Sequence, residues 1–280
     1  MLTIKNLLLK GKQALQSEID SPQLEAEILL SLALGKNRSY LKAWPEREVS
    51  GEQADCFDHL VYKRSEGTPI AYLTGQREFW SRDFAVNPDV LIPRPETELL
   101  IEVALTLIPQ ITPFKVIDLG TGSGIIAITL AAEKPLIEVT AVDISSGALK
   151  TAQVNARTHQ TDNITFIQSH WFDQIKACSF DLVVSNPPYI APEDPHLLTG
   201  DLRFEPQNAL IAANRGLGDI EEIAGKARSH LQPQGHLLIE HGYNQHHEVR
   251  AIFREFHYQN IHTYRDLSGH PRLTYGQWQS

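Results

Sequence analysis

A short amide side chain and an aromatic ring stand together in the segment Asn186-Pro187-Pro188-Tyr189. The apolar run 180–183 before it is typical of a buried strand, and the two prolines prevent further ladder pairing. Asn186 offers an acceptor oxygen, and the Pro187 carbonyl is a second acceptor beside it. Two acceptors aimed at one point suit an –NH2 group, and the Tyr189 ring suits the face of a planar substrate. The alternative interpretation is an ordinary Asn-Pro turn.

A glycine-rich loop, Asp118-Leu119-Gly120-Thr121-Gly122-Ser123-Gly124, precedes this segment. Its glycines permit a sharp turn and a close approach of a ligand to the backbone. The dinucleotide-binding pattern wants a further glycine at the position of Ile125. Asp143 ends the next strand, nineteen residues past Gly124, where a carboxylate can accept both hydroxyls of a ribose. Asp143 is also a plausible helix N-terminal residue, but the whole series favours nucleoside binding.

The elements around these motifs alternate between strands and helices from residue 115 onward. Strands are predicted at 116–119, 139–142, 164–167, 181–185, 236–240, 260–265 and 272–278, and helices at 125–132, 146–156, 219–231 and 246–256. This alternation predicts an α/β fold with a parallel, doubly wound sheet. Its fourth strand then lies beside its first, so Asn186 faces the end of strand 116–119. S-adenosylmethionine fits such a site, with its adenosine at the glycine loop and Asp143 and its methyl group near the bound nitrogen.

The first 75 residues are predicted to be a small helical bundle. One helix begins at Ser21-Pro22 and ends at Gly35, and another covers 50–65. Residues 76–93 change to short β-like runs around the turn signal Asn87-Pro88-Asp89, which predicts a hairpin linker. A further helix begins at Pro95. We therefore expect three parts: a substrate-recognition domain over 1–75, a linker over 76–93 and a catalytic domain over 94–280. The alternative role for the bundle is a stabilising cap.

Composition narrows the class of protein. The chain has 280 residues, 42% of them hydrophobic, and a net charge of −9. The acidic balance weighs against a nucleic-acid surface, and no apolar run is long enough for a membrane helix. No cysteine and histidine spacing resembles a metal site. Cys56 and Cys178 have no partner spacing, which favours a reducing compartment. The N-terminus lacks the features of a signal peptide, so we expect a cytoplasmic protein.

Several motifs together carry a resemblance to a known family. Segments 118–124, 141–145 and 186–190 resemble those of class I amino-methyltransferases, and segments 91–98, 200–206 and 240–242 narrow the resemblance to the PrmC (HemK) protein-glutamine methyltransferases. The similarity runs over both halves of the chain. It implies a Rossmann-like domain with a mostly parallel seven-stranded sheet, preceded by a helical bundle. It also implies methyl transfer from S-adenosyl-L-methionine to the glutamine of the Gly-Gly-Gln motif of class I peptide chain release factors.

The resemblance also implies roles for individual residues. The catalytic set is Asn186, Pro187 and Tyr189, and the substrate loop adds Pro188. The cofactor positions are Gly120, Thr121, Gly122, Ser123, Gly124, Asp143, Trp171 and Asn186. His170 departs from the family pattern, which has an aspartate before Trp-Phe, and for Trp171 core packing is an equal alternative. Arg94 and Arg203 are weaker candidates, and Glu205 and Glu240 are interpreted as structural. We expect a monomer.

Three other classes of protein share part of this pattern. An adenine-N6 DNA or RNA methyltransferase uses the same Asn-Pro-Pro-Tyr segment, but this chain shows no basic stripe. A nicotinamide-dependent dehydrogenase is disfavoured by Ile125. A regulator that binds a nucleoside without catalysis remains the third alternative, which binding and turnover assays separate.

Overall fold

The computed structural model describes residues 2–16, 19–176 and 180–279; Cys178 lies outside them. The chain forms two compact units. The first comprises Met1–Gln76 and His196–Phe204, and the second comprises Arg77–Pro195 and Glu205–Ser280. No helix in these described stretches is long and apolar enough to cross a membrane.

The first unit is a bundle of helices. These are α1 (Ile4–Leu15), α2 (Pro22–Leu34), α3 (Arg38–Ala43), α4 (Gly51–Ser65) and α5 (Ile70–Thr74). As the sequence predicts, α2 begins with proline at its first position and ends at Gly35, whose left-handed φ of +60° lets its N–H donate to the Leu32 carbonyl. Phe57 of α4 is fully buried among leucines of α1 and α2. Apolar burial between these helices therefore holds the unit together.

One segment of the first unit is distant in sequence. The sequence predicts a single domain over 94–280, whereas residues 196–204 pack with the helical bundle. Asp201 pairs with Arg64 at 3.4 Å, and Arg203 donates from Nη2 to the Glu66 carbonyl at 3.4 Å. These contacts with α4 depend on tertiary structure, so no local sequence pattern predicts them.

A two-stranded hairpin opens the second unit. Its strands are β1 (Gln76–Phe79) and β2 (Arg82–Ala85), and its turn is at Trp80 and Ser81, which both have positive φ. The β-like run 90–92 of the predicted linker does not form a strand. Asn87 instead forms a local turn with the Asp89 N–H and docks on Thr151, so the turn signal at 87–89 does not join two strands.

The second unit is built on a seven-stranded sheet. Its strands are β3 (Phe114–Leu119), β4 (Ile137–Asp143), β5 (Ile164–Gln168), β6 (Phe180–Ser185), β7 (Leu231–Glu240), β8 (Gln259–Arg265) and β9 (Pro271–Gln277). Their order is β5-β4-β3-β6-β7-β9-β8. The first five are parallel, and β9 is antiparallel to both neighbours. The predicted fold class and the pairing of β6 beside β3 are confirmed.

Helices cover both faces of the sheet. They are α6 (Glu98–Leu107), α7 (Ile125–Glu133), α8 (Ser146–Thr158), the short α9 (Ala213–Gly216), α10 (Gly218–Ala227) and α11 (His246–Glu255). Val116 of β3 is buried in the same cluster as α6 and α7, and Ile117 in the cluster of α10 and α11. This alternation along one strand is what a sheet buried on both faces requires. The helix predicted at 219–231 ends at Ala227, because Leu231 already pairs with Phe180 in the sheet.

Candidate active site

The site lies where two central parallel strands end. Leu119 of β3 is in register with Ser185 of β6, and the Ser185 hydroxyl donates to the Leu119 carbonyl at 2.8 Å. The next residues along the two strands are Gly120 and Asn186. The glycine loop and the Asn-Pro-Pro-Tyr segment therefore start side by side, at the edge where open α/β sheets bind ligands.

The glycine loop adopts a backbone that side chains disfavour. Gly122 has a φ of +55°, and a Cβ built on it would meet nothing within 4 Å. Gly124 has a φ of +86°, and its Cβ would lie 2.7 Å from Ile128 Cδ1 and 3.1 Å from Ala152 Cβ. Gly124 thus allows the start of α7 to pack on α8, while Gly122 leaves open space above the loop. This is a cradle that a ligand can enter.

Asp143, the last residue of β4, holds this loop in place. Its Oδ2 accepts from the Gly122 N–H at 2.8 Å, and its Oδ1 accepts from the Ser145 N–H at 2.8 Å. Burial raises the pKa of Asp143, and these backbone donors oppose the rise. The N-cap of α8 is Ser145, whose hydroxyl accepts from the Ala148 N–H. The alternative assignment of Asp143 to a helix cap is therefore not needed.

Asp118 of β3 also stabilises the glycine loop, through hydrogen bonds to the loop and to α7. It is fully buried, and its Oδ2 accepts from the Thr121 hydroxyl at 2.7 Å and from the Ala127 N–H at 3.2 Å. Burial raises the pKa of Asp118 to about 7, against the effect of these two donors. The loop is therefore tied both to its own strand and to the neighbouring strand β4.

Asn186 is half-buried at the end of β6. Its Nδ2 donates to the hydroxyl of Thr97 at 3.1 Å, across 89 residues of sequence. Pro187 is buried, and the Tyr189 ring packs against the apolar cluster of α10 and α11. Gln245 donates to the Tyr189 carbonyl at 3.0 Å, and burial raises the pKa of the Tyr189 phenol. The Tyr189 backbone is thus anchored by Gln245, and its partly buried ring packs against this cluster.

A cavity of about 300 Å3 opens between these elements. Among the predicted site residues, its lining includes Gly120, Thr121, Gly122, Ser123, Asp143, Trp171, Asn186 and Pro188. In the described part of the chain, the residues that line this cavity do not include Gly124, Pro187 or Tyr189. Gly124 supports the loop through packing instead, and the roles predicted for Pro187 and Tyr189 stay predictions.

One wall of the cavity is formed by the apolar ring of Trp171 and by the polar side chains of His170 and Asp219. Trp171 belongs to the buried core cluster and also lines the cavity, so the two alternatives for it are compatible. His170 lines the cavity as well, with its Nδ1 at 3.4 Å from Glu222 Oε1. Asp219, at the start of α10, faces the same space, and burial raises its pKa. Sequence reasoning missed Asp219, because its proximity to residues 170 and 171 depends on how α10 packs.

Two further residues lie near Asn186, in the segments 91–98 and 240–242. Thr97 is fully buried, and Glu240, the last residue of β7, is 2% exposed. Burial raises the pKa of Glu240 to about 7; Thr97, Arg272 and Asn186 act in the opposite direction. Its position at the end of an apolar strand run was the available signal.

The two candidate arginines are engaged within their own units. Arg94 pairs with the buried carboxylate of Glu205, which also accepts from the Ile92 N–H at 3.0 Å. Arg203 lies 4.9 Å from the Phe204 ring centroid. The interpretation of Glu205 as a structural residue agrees with these contacts.

The cradle, the carboxylate of Asp143 and the cavity suit an adenosine-containing cofactor. Solved structures share the fold. A methyltransferase from Pyrococcus furiosus superposes with a TM-score of 0.55 at 14% identity, covering 80% of this chain and 98% of that chain. A 16S rRNA methyltransferase from T. thermophilus, solved with AdoMet and guanosine, gives a TM-score of 0.54 at 16% identity, covering 73% of this chain and 50% of that one. The chain therefore has the fold of class I methyltransferases.

Sequence comparison is more specific. The family models of the PrmC N-terminal domain and the methyltransferase small domain match residues 6–75 and 96–202. The release factor glutamine methyltransferase of Shewanella oneidensis is 46% identical over 264 residues, covering 94% of this chain and 92% of that protein. Its namesake from Escherichia coli is 44% identical over 259 residues, covering 92% and 93%. The chain belongs to the release factor glutamine methyltransferase family, which confirms the predicted resemblance.

Proposed function

We propose that this protein methylates the side-chain amide nitrogen of the glutamine in the Gly-Gly-Gln motif of class I peptide chain release factors. The observation that carries the proposal is the placement of Asn186. It directly follows β6, lines the cavity and donates from Nδ2 to the Thr97 hydroxyl, which leaves Oδ1 as an acceptor for a substrate. The names of the relatives supply the substrate class.

S-adenosyl-L-methionine supplies a methyl group on a sulfonium, which is a good leaving group. The backbone of Gly120 to Ser123 would cradle the cofactor, with Gly124 supporting that loop. The Asp143 carboxylate would accept the ribose hydroxyls, since each of its oxygens has lone-pair capacity beyond the one backbone bond observed. Trp171 would contact the adenine through its ring. These assignments follow the lining of the cavity.

The acceptor amide needs help, because its nitrogen lone pair is delocalised into the carbonyl. Asn186 Oδ1 and the Pro187 carbonyl would accept its two N–H groups, which fixes the nitrogen and raises its electron density. Pro188 would shape the wall of the substrate site, and Tyr189 would pack near the amide plane. The bound cofactor would supply the methyl group and leave as the neutral thioether S-adenosyl-L-homocysteine, and the methylated nitrogen, held by these acceptors, would lose its proton to water. Positioning and aimed dipoles account for the acceleration, so no strong base is required.

The helical unit is assigned to substrate selection. A single amide contact cannot distinguish one glutamine from any other exposed glutamine. A specific protein contact buries about 1,200 Å2 or more in total, and the first unit carries exposed apolar side chains such as Tyr62 and Leu198. We assign the release factor to this surface as a transient partner, and the enzyme to the cytoplasm as a monomer. Light scattering on the purified protein tests the monomer.

Transfer of radioactive methyl groups tests the proposal. Purified release factor is incubated with the enzyme and labelled S-adenosylmethionine, beside a release factor in which the glutamine of its Gly-Gly-Gln motif is replaced by alanine. The proposal expects label in the first protein and background in the second. Equal labelling of both, or label in neither, would refute it.

A further inference from the structure

A buried carboxyl group stands behind Asn186 at the edge of the sheet. Ser185 of β6 is in register with Ile239 of β7, so the residues that follow them, Asn186 and Glu240, are neighbours across the two strand ends. Glu240 is almost fully buried, and its Oε2 has no hydrogen-bond partner among the described residues. A buried carboxyl group with an unpaired oxygen is costly. Glu240 lies next to the proposed acceptor side chain, Asn186. A functional role there would explain why this unfavourable burial is retained.

Thr97 completes the group. It is fully buried, and its hydroxyl oxygen receives the Nδ2–H of Asn186 at 3.1 Å. A hydroxyl can donate or accept, so Thr97 alone would tolerate either orientation of the Asn186 amide. An ionised carboxylate accepts hydrogen bonds and donates none. A carboxylate close to both side chains therefore favours the arrangement in which Thr97 and the amide –NH2 turn their hydrogens toward it.

We infer that Glu240 is a positioning residue, whose carboxylate, together with Thr97, orients the Asn186 amide so that Oδ1 faces the methyl acceptor. The inference rests on the proposed function, in which Asn186 Oδ1 accepts from the substrate amide. With the opposite orientation, Asn186 would present an N–H to a substrate N–H, and the pair would repel. The negative charge on the –NH2 side also increases the electron density on Oδ1, which strengthens it as an acceptor.

The charge state of Glu240 controls this orientation. Burial favours its neutral form and raises its pKa to about 7, while Arg272 of β9 favours the charged form and Glu96 opposes it. Tyr189, from the loop after β6, also lies within the field of Glu240. A protonated carboxyl group carries a donor, which can turn to Thr97 or to a flipped amide. The orientation is therefore fixed as pH rises through about 7 and is released below it.

Glu240→Gln tests the inference with almost no change of shape, because the amide that replaces the carboxylate can donate. We expect kcat on the release factor, at saturating S-adenosylmethionine, to fall by about tenfold or more at about pH 8. Cofactor affinity should stay within about twofold of wild type. The acid limb of kcat near pH 7 should be lost from the variant. Glu138→Gln, at an exposed glutamate near the start of β4, is the matched control and should leave kcat and its pH profile unchanged.

A second pair of variants tests the inference even if the Glu240→Gln protein fails to fold. Thr97→Val removes the hydroxyl at constant shape and should lower kcat, and Thr97→Ser should restore it. Wild-type kcat in folded Glu240→Gln or Thr97→Val, or no rescue by serine, would overturn the inference. If the wild-type enzyme transfers no methyl group to the release factor, the proposed function fails and the inference fails with it. Transfer by wild type with undiminished transfer by the variants overturns the inference alone.

Discussion

The Asp143 carboxylate accepts a hydrogen bond from the backbone N–H of Gly122 at 2.8 Å, although 21 residues separate them. The same carboxylate accepts from Ser145 at the start of α8. The Asp143 side chain at the end of β4 thus holds both the glycine loop that follows β3 and the start of α8. In the proposed function it also receives the ribose hydroxyls, so it both shapes the cradle and binds the ligand.

We therefore predict that Asp143→Ala weakens S-adenosylmethionine binding by about 1–3 kcal/mol, the usual scale for losing hydrogen bonds to a charged group. Isothermal titration calorimetry measures the affinity directly. Asp162→Ala, at an exposed aspartate just before β5, is the control and should bind as wild type does. Unchanged affinity in folded Asp143→Ala would remove Asp143 from the ribose role.

For Asn186→Ala we predict a fall in kcat of about a hundredfold or more, since an aimed polar group in an active site contributes on this scale. Cofactor affinity should change by no more than a few fold, because Asn186 acts mainly in the transition state. Steady-state kinetics on the release factor and calorimetry with the cofactor separate the two effects. A correctly folded Asn186→Ala protein with wild-type turnover would contradict the mechanism.

The sequence predicts much of this site because its main parts are local. The apolar run before Asn186, the positive-φ glycines and Asp143 at a strand end each have a short-range signal. Strand–helix alternation then brings those strand ends to one edge. The relation of Thr97 and Glu240 to Asn186 has no such signal, because it depends on how the short helical turn Pro95–Thr97 and strand β7 pack. For the same reason, no local pattern in residues 196–204 indicates that they pack with the helical unit.

The buried acids predict a characteristic pH dependence of stability. The pKa of Glu240 rises from 4.5 to about 7 in the folded protein, so the folded state binds more protons than the unfolded state in that range. Its contribution to the free energy of unfolding therefore falls as pH rises. We predict that Glu240→Gln is more stable than wild type at about pH 8, by about 1–3 kcal/mol, and that the difference is small at about pH 4.

Urea unfolding of both proteins at the two pH values measures this difference. The variant must be compared with wild type at each pH, because other groups that titrate in the same range also change the stability of both proteins. Asp118 has its pKa raised by burial to about 7, whereas burial lowers the pKa of His241 to about 4, which has the opposite effect on the slope. Both are common to the two proteins and cancel. A Glu240→Gln protein that is less stable than wild type at both pH values would show that the carboxylate is a structural support.

If the helical unit recognises the release factor, variants of its surface should lower activity on the intact release factor but not on a short peptide. Tyr62→Ala combined with Leu198→Ala, both exposed in the first unit, should lower kcat/KM on an intact release factor by about tenfold. Activity on a short peptide containing Gly-Gly-Gln should not change. Leu267→Ala, at an exposed leucine of the second unit, is the control and should affect neither substrate. An equal loss on both substrates would favour the stabilising cap instead.

The central claim is that the Asn186 site transfers a methyl group to one glutamine amide nitrogen. Tandem mass spectrometry of the release factor, after incubation with enzyme and S-adenosylmethionine carrying a deuterated methyl group, tests it most directly. The proposed function predicts one labelled methyl group on the side-chain amide of the Gly-Gly-Gln glutamine with wild-type enzyme, and about a hundredfold less label with Asn186→Ala after the same short incubation. Label on another residue, or unmodified glutamine after incubation with an enzyme that binds the cofactor, would contradict it.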